Sequence, residues 1–179
     1  MSLVLLAAAC GRQQAQSVEE SLREARSAHP DDAIAASNAG NARAREIASE
    51  LLGSTSDKHE GAAIIFLGFH TKYAESLPKA CSAVGAPIGK LATRFAELNK
   101  DSYDIALAFP SATATLERNR SSIDRAAQDE LARMAASWQV DDRAACQFLE
   151  DNFEEFAKNA SFAAVNPRAQ QLLNQLQRR

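Results

Sequence analysis

Residues 57–77, DKHEGAAIIFLGFHTKYAESL, decide the fold class. Asp57 followed three residues later by Glu60 has the form of a capping box, a helix start written into the sequence. Ala62, Ile65, Phe66, Phe69, Tyr73 and Leu77 then recur at the helical period. Ile64 and Leu67 cover the other side, and a helix apolar nearly all round belongs at the centre of a fold. Pro78 ends this helix or kinks it.

Upstream, residues 17–28 form a weakly amphipathic segment with Val18, Leu22 and Ala25 on one face, broken by His29-Pro30. Asp31-Asp32 starts a polar, alanine-rich helix to Leu52 with the stripe Ala44, Ile47, Ala48, Leu51, and residues 53–56 read as a turn. Downstream comes a short piece around Cys81. Pro87 opens a helix carrying Ile88, Leu91, Ala92, Phe95 and Leu98. Residues 101–109 read as a separate short helix ended by Pro110. Residues 113–139 carry Leu116, Ile123, Ala127, Leu131, Met134 and Trp138, with a break expected near Ser121-Ser122. Asp141-Asp142 restarts the chain, and Ala145, Phe148, Leu149, Asn152, Phe153, Phe156 and Ala160 form its cleanest stripe. Asn166-Pro167 is a cap followed by proline at the first helical position, and the last helix buries Leu172, Leu173 and Leu176.

Composition agrees. Of the 179 residues, 37 are Ala and 17 are Leu, whereas Val and Ile together number 12. Alanine and leucine favour helices, and strands favour β-branched and aromatic residues. Seven Gly and five Pro are too few for the turns of an all-β fold. No fixed-period repeat and no Gly/Ser linker divides the chain. The expected fold is all-α, a single-domain helical bundle of roughly six to eight helices over residues 17–179, with 57–77 and 141–160 at its centre.

The first ten residues, MSLVLLAAAC, place a seven-residue apolar run before small residues and Cys10. The run is too short to span a bilayer and has the proportions of a signal-peptide core. It resembles the lipobox of bacterial lipoproteins, in which small residues precede a cysteine that is lipidated and becomes the mature N-terminus. Two features depart from that pattern: no charged segment precedes the run, and Ala7 stands where leucine is commoner. The resemblance implies residues 1–10 as a signal remnant, lipidation at Cys10, 11–16 as a tether, and a periplasmic or cell-envelope location with membrane contact through the lipid alone. A cytoplasmic protein whose apolar start is simply helix is the alternative.

With Cys10 assigned to lipid, Cys81 and Cys146 remain, an even pair suited to one disulfide in an oxidising compartment. Two buried free thiols are the other reading.

Chemistry is scarce. Gly85-Ala86-Pro87-Ile88-Gly89-Lys90-Leu91 has three residues, not four, between its glycines, and Leu91 where a phosphate loop needs Ser or Thr. His59-Glu60 begins like a zinc-protease helix, but position 63 is Ala. His70 reads as a hydrogen-bonded core histidine near Tyr73. No nucleophile elbow, Cys-x-x-Cys or paired Glu-x-x-His occurs, so no catalytic residue, metal or cofactor is expected. A net charge of −3 without a basic cluster argues against nucleic acid. Glu150, Asp151, Glu154 and Glu155 form an acidic face opposite the apolar stripe, with like charges at i, i+4. They are candidates for docking a basic protein partner. The expected function is a non-enzymatic, lipid-anchored envelope protein that binds another protein in an inhibitor, immunity or assembly role. The alternative is a periplasmic enzyme cutting cell-wall glycan through an unidentified carboxylate pair.

Overall fold

Caps and prolines set several of the helix boundaries in the computed structural model, which describes residues 20–21, 24–28, 33–54 and 57–177. The lipobox, Cys10 and the 11–16 tether lie outside the described residues, as do most of residues 17–23. All regular structure among the described residues is helical. The chain divides into two compact units, Met1–Ser49 and Glu50–Arg179. In the first, Arg43 of helix α1 (Ala33–Ser54) donates to Ser21 Oγ at 2.8 Å and pairs with Glu46 at 3.0 Å. Helix α1 continues through Gly53 to Ser54, where a turn was expected; an isolated glycine costs a helix only about 1 kcal/mol.

In the second unit the Asp57 carboxylate accepts from the backbone N–H of His59 and Glu60 and caps α2 (Lys58–Thr71). As its apolar wrap predicts, α2 is central: Ala62, Ala63, Phe66 and Leu67 are fully buried. Pro78 does not end the helix. A five-residue π-turn, Lys72–Ser76, precedes it, and α3 (Leu77–Ala83) runs on through the proline. In a regular helix the Pro78 ring would press on the carbonyl four residues back. The wider π-turn, in which Leu77 N–H reaches back to Lys72 O, makes room for it.

Helix α4 (Gly89–Leu107) is capped at Ile88 and so starts after Pro87 rather than at it. It absorbs residues 101–107, expected as a separate helix, with Lys100 and Asp104 paired at 2.5 Å across the anticipated junction. Helix α5 (Pro110–Trp138) begins with its proline at the first position, passes Ser121-Ser122 unbroken, and ends on Gln139 in the left-handed region at φ 56°. Asp141 caps α6 (Asp142–Asp151) through Ala144 N–H at 2.7 Å. The stripe expected as one helix to Ala160 breaks at Asn152, where the backbone leaves the helical region at φ −111° and ψ 29°. Helix α7 (Phe153–Asn159), the one-turn α8 (Phe162–Val165) and α9 (Pro167–Gln177) complete the unit.

Two apolar clusters result. One gathers Leu77, Cys81, Ile88, Leu91, Leu131, Ala135, Cys146 and Leu149. The other gathers Leu52, Phe66, Leu67, Ala106, Leu116, Phe162 and Leu173. Helix α5 contributes to both and so shares the central position with α2. The 141–160 segment lies further out than expected, because Phe148 on its apolar stripe is 53% exposed. Cys81 and Cys146 form a disulfide between α3 and α6, with Cα atoms 5.6 Å apart.

Candidate functional site

The four acidic side chains of the 150–155 segment have different surroundings. The Glu150 carboxylate accepts from Lys90 N–H at 3.0 Å and Leu91 N–H at 3.2 Å, capping α4 from another helix. Ile88 at the N-cap has no side-chain acceptor, so the first-turn donors of α4 would otherwise lack a protein partner. Glu154 pairs with Arg94 at 3.0 Å, and Arg94 also reaches Glu97 at 3.4 Å. Asp151 and Glu155 are exposed and have no ion-pair partner among the described residues. The structure therefore does not present the four carboxylates as one free acidic face.

Next to this segment lies a surface that periodicity concealed. Trp138, Val140 and Phe148 are 37, 42 and 53% exposed, and the Trp138 and Phe148 rings sit 4.9 Å apart at 55°. Two local features assemble this corner. The left-handed Gln139 reverses the chain immediately after Trp138, and Asp141 restarts it as α6, which carries Phe148 back beside the indole. Trp138 and Phe148 were both expected on core stripes. Exposed Asp142 stands two residues after Val140 and exposed Asp151 three residues after Phe148, with Arg143 the exposed cation of α6.

A second polar cluster joins the π-turn to α5. Glu130 accepts from Lys72 and from the Tyr73 hydroxyl at 2.7 Å, with Arg133 at 3.9 Å. One turn on, Asp124 accepts from Ser76 at 2.6 Å and Lys79 at 2.8 Å, and Arg120 pairs with Glu75 at 2.5 Å. Burial alone would raise the Glu130 carboxyl, but Lys72, the Tyr73 hydroxyl and Arg133 hold it below the ordinary glutamate value. Burial, with the Glu130 charge added, pushes Tyr73 well above the ordinary phenol value. A glycosidase acid needs a carboxyl kept protonated by its surroundings. Glu130 is shifted the other way, which suits an ion pair holding two elements together.

His70 is buried, as expected, but not hydrogen-bonded through Nδ1: it stacks on Tyr103 at 4.3 Å, and no partner for that nitrogen exists among the described residues. Tyr73, its expected neighbour, turns to Glu130 instead. Desolvation lowers the His70 pKa, with the Glu75 charge opposing it. His59 lies 3.4 Å from Asp57 at the helix cap. No group of three or more metal-ligating side chains occurs among the described residues, and no described helix is long and apolar enough to cross a membrane. Compared with known protein-family models, curated proteins and solved structures, the chain matches none.

Proposed function

We propose that this chain is a non-enzymatic, lipid-anchored protein of the bacterial envelope that docks a partner protein on its Trp138/Val140/Phe148 corner. The exposed Trp–Phe pair carries this reading. Large aromatics cost free energy in water and are enriched at the energetic centres of protein interfaces. The carboxylates of Asp142 and Asp151, close by in sequence, complement a partner with an apolar pocket edged by Lys or Arg. The Cys81–Cys146 disulfide suits an oxidising compartment and supports export. The lipid anchor rests on the MSLVLLAAAC start alone.

The test is a pull-down from native envelopes with wild type and with Phe148→Ser, whose side chain is already half in water and belongs to neither buried cluster. A stoichiometric partner should be captured by wild type, released as salt rises, and lost with Phe148→Ser or with Asp142→Asn combined with Asp151→Asn. Capture that is indifferent to all three substitutions would sink the corner. Cys10→Ser in the full-length gene should release the protein from membranes, and unchanged retention would refute the anchor.

A further inference from the structure

The Trp138–Phe148 ring pair spans two helices, since Trp138 ends α5 and Phe148 belongs to α6. Its geometry therefore depends on what holds α6. A ten-residue helix is not stable in water by itself. Of its side chains Ala145, Cys146 and Leu149 are buried, and only Leu149 is large. Two further ties fix its inner face: the disulfide from Cys146 to Cys81 of α3, and the Glu150 cap on α4 one turn on. Phe148 lies about half a turn round from both and faces water.

The bridge sits inside the apolar cluster, with both cysteines fully buried among Leu77, Ile88, Leu91, Leu131 and Leu149. As thiols the two sulfurs are no longer bonded, so each needs its full van der Waals separation, and close-packed interiors resist added volume. The strain falls on the helix that is held least. Helix α3 continues through the π-turn into α2, which carries the fully buried Phe66 and Leu67. Helix α6 hangs from α5 by residues 139–141 and buries a single large side chain. It is therefore α6 that shifts, and Phe148 moves with it while Trp138 stays on α5.

We propose that the Cys81–Cys146 bridge gates the corner: the chain docks its partner as the disulfide and not as the dithiol. The gate rests on the corner being the docking surface. Oxidation proceeds by thiol–disulfide exchange with a small-molecule disulfide such as oxidised glutathione. One cysteine thiolate attacks that disulfide and expels a thiolate. The second cysteine thiolate then attacks the mixed disulfide, so the Cys81–Cys146 bond forms as a second thiolate leaves. Two electrons pass to the oxidant, and the two cysteine protons end on the two released thiols. Because both sulfurs are buried in the finished unit, a bridge once made is shielded from thiols. The gate is thus set once, on entry to an oxidising compartment.

The test compares the disulfide form, the wild type refolded under reductant, and Cys81→Ser combined with Cys146→Ser, a dithiol mimic that cannot be bridged. Trp138 is the only tryptophan of the chain, so its emission reports the corner directly. Without the bridge, far-UV circular dichroism should keep its helical signal and Trp138 emission should shift to the red. NOEs between the indole and the Phe148 ring should vanish. As bait on native envelopes the serine pair should capture at least about ten-fold less partner than the disulfide form. Intact NOEs and emission in the dithiol overturn the gate, as does equal capture by both forms. A dithiol that loses its helical signal overturns it too, because the bridge then holds the whole unit rather than α6. Capture by neither form would instead refute the docking surface itself, and the gate with it.

Discussion

Glu130 shows how much one side chain's partners decide. Its side chain is 19% exposed, and its carboxylate bonds both Lys72 and the Tyr73 hydroxyl. Glu130→Gln keeps the shape but leaves Lys72 without its counter-charge, and should cost about 2 kcal/mol at neutral pH in urea unfolding. The sign of the pH effect follows from the depressed carboxyl: its stabilisation is present above the ordinary value of 4.5 and is lost as pH falls through the folded value. Wild type should therefore lose stability on acidification below about 4.5, and the Glu130→Gln curve should be flatter there. Parallel curves would mean the pairing contributes nothing. His70 acts at higher pH. Its folded pKa lies below 6.5, so the unfolded chain takes up the proton first, and stability declines as pH drops from 6.5. His70→Phe should remove that part of the slope. Neither partner set was legible in the sequence: Lys72 and Tyr73 lie 58 and 57 positions from Glu130, and Tyr103 lies 33 positions from His70.

Three helix starts, by contrast, were written locally. Asp57, Asp141 and Pro167 open helices where their residue types predict, since a cap needs an acceptor within three residues and proline at the first turn forfeits no bond. The start of α4 was misread for the same reason in reverse. Pro87 suggested an opening there, yet α4 begins at Gly89 with a cap delivered by Glu150 from 60 positions away. Glu150→Ala should therefore cost about 1 kcal/mol. Glu155→Ala, at an exposed position of the same acidic segment, should stay within about 0.5 kcal/mol. Equal effects in thermal melts would show that Glu150 is an ordinary surface carboxylate. The π-turn before Pro78 has the same lesson: a proline in a helical pattern predicts a disturbance, but the neighbouring helices decide whether it becomes an end or a wider turn.

The disulfide is a constraint on the whole unit. Its ends are 65 residues apart, and the loop it closes contains all of α4 and α5. Restricting that loop in the unfolded chain is worth roughly 4 kcal/mol in the chain-entropy account. The double variant Cys81→Ala with Cys146→Ala, or wild type under reductant, should show a urea midpoint lowered accordingly. A midpoint unmoved by reductant would mean the bridge adds nothing to stability.

The sequence by itself determined the helical class, the central placement of α2, the main capping sites and the cysteine pair open to bridging. Each follows from periodicity, propensity or a count, all properties of neighbours along the chain. Tertiary structure alone decided that Phe148 and Trp138 face water and that Glu150 serves another helix. Period marks a residue as facing one side of its helix. Whether that side meets a neighbour or solvent depends on how distant helices pack, and local spacing carries no information about that.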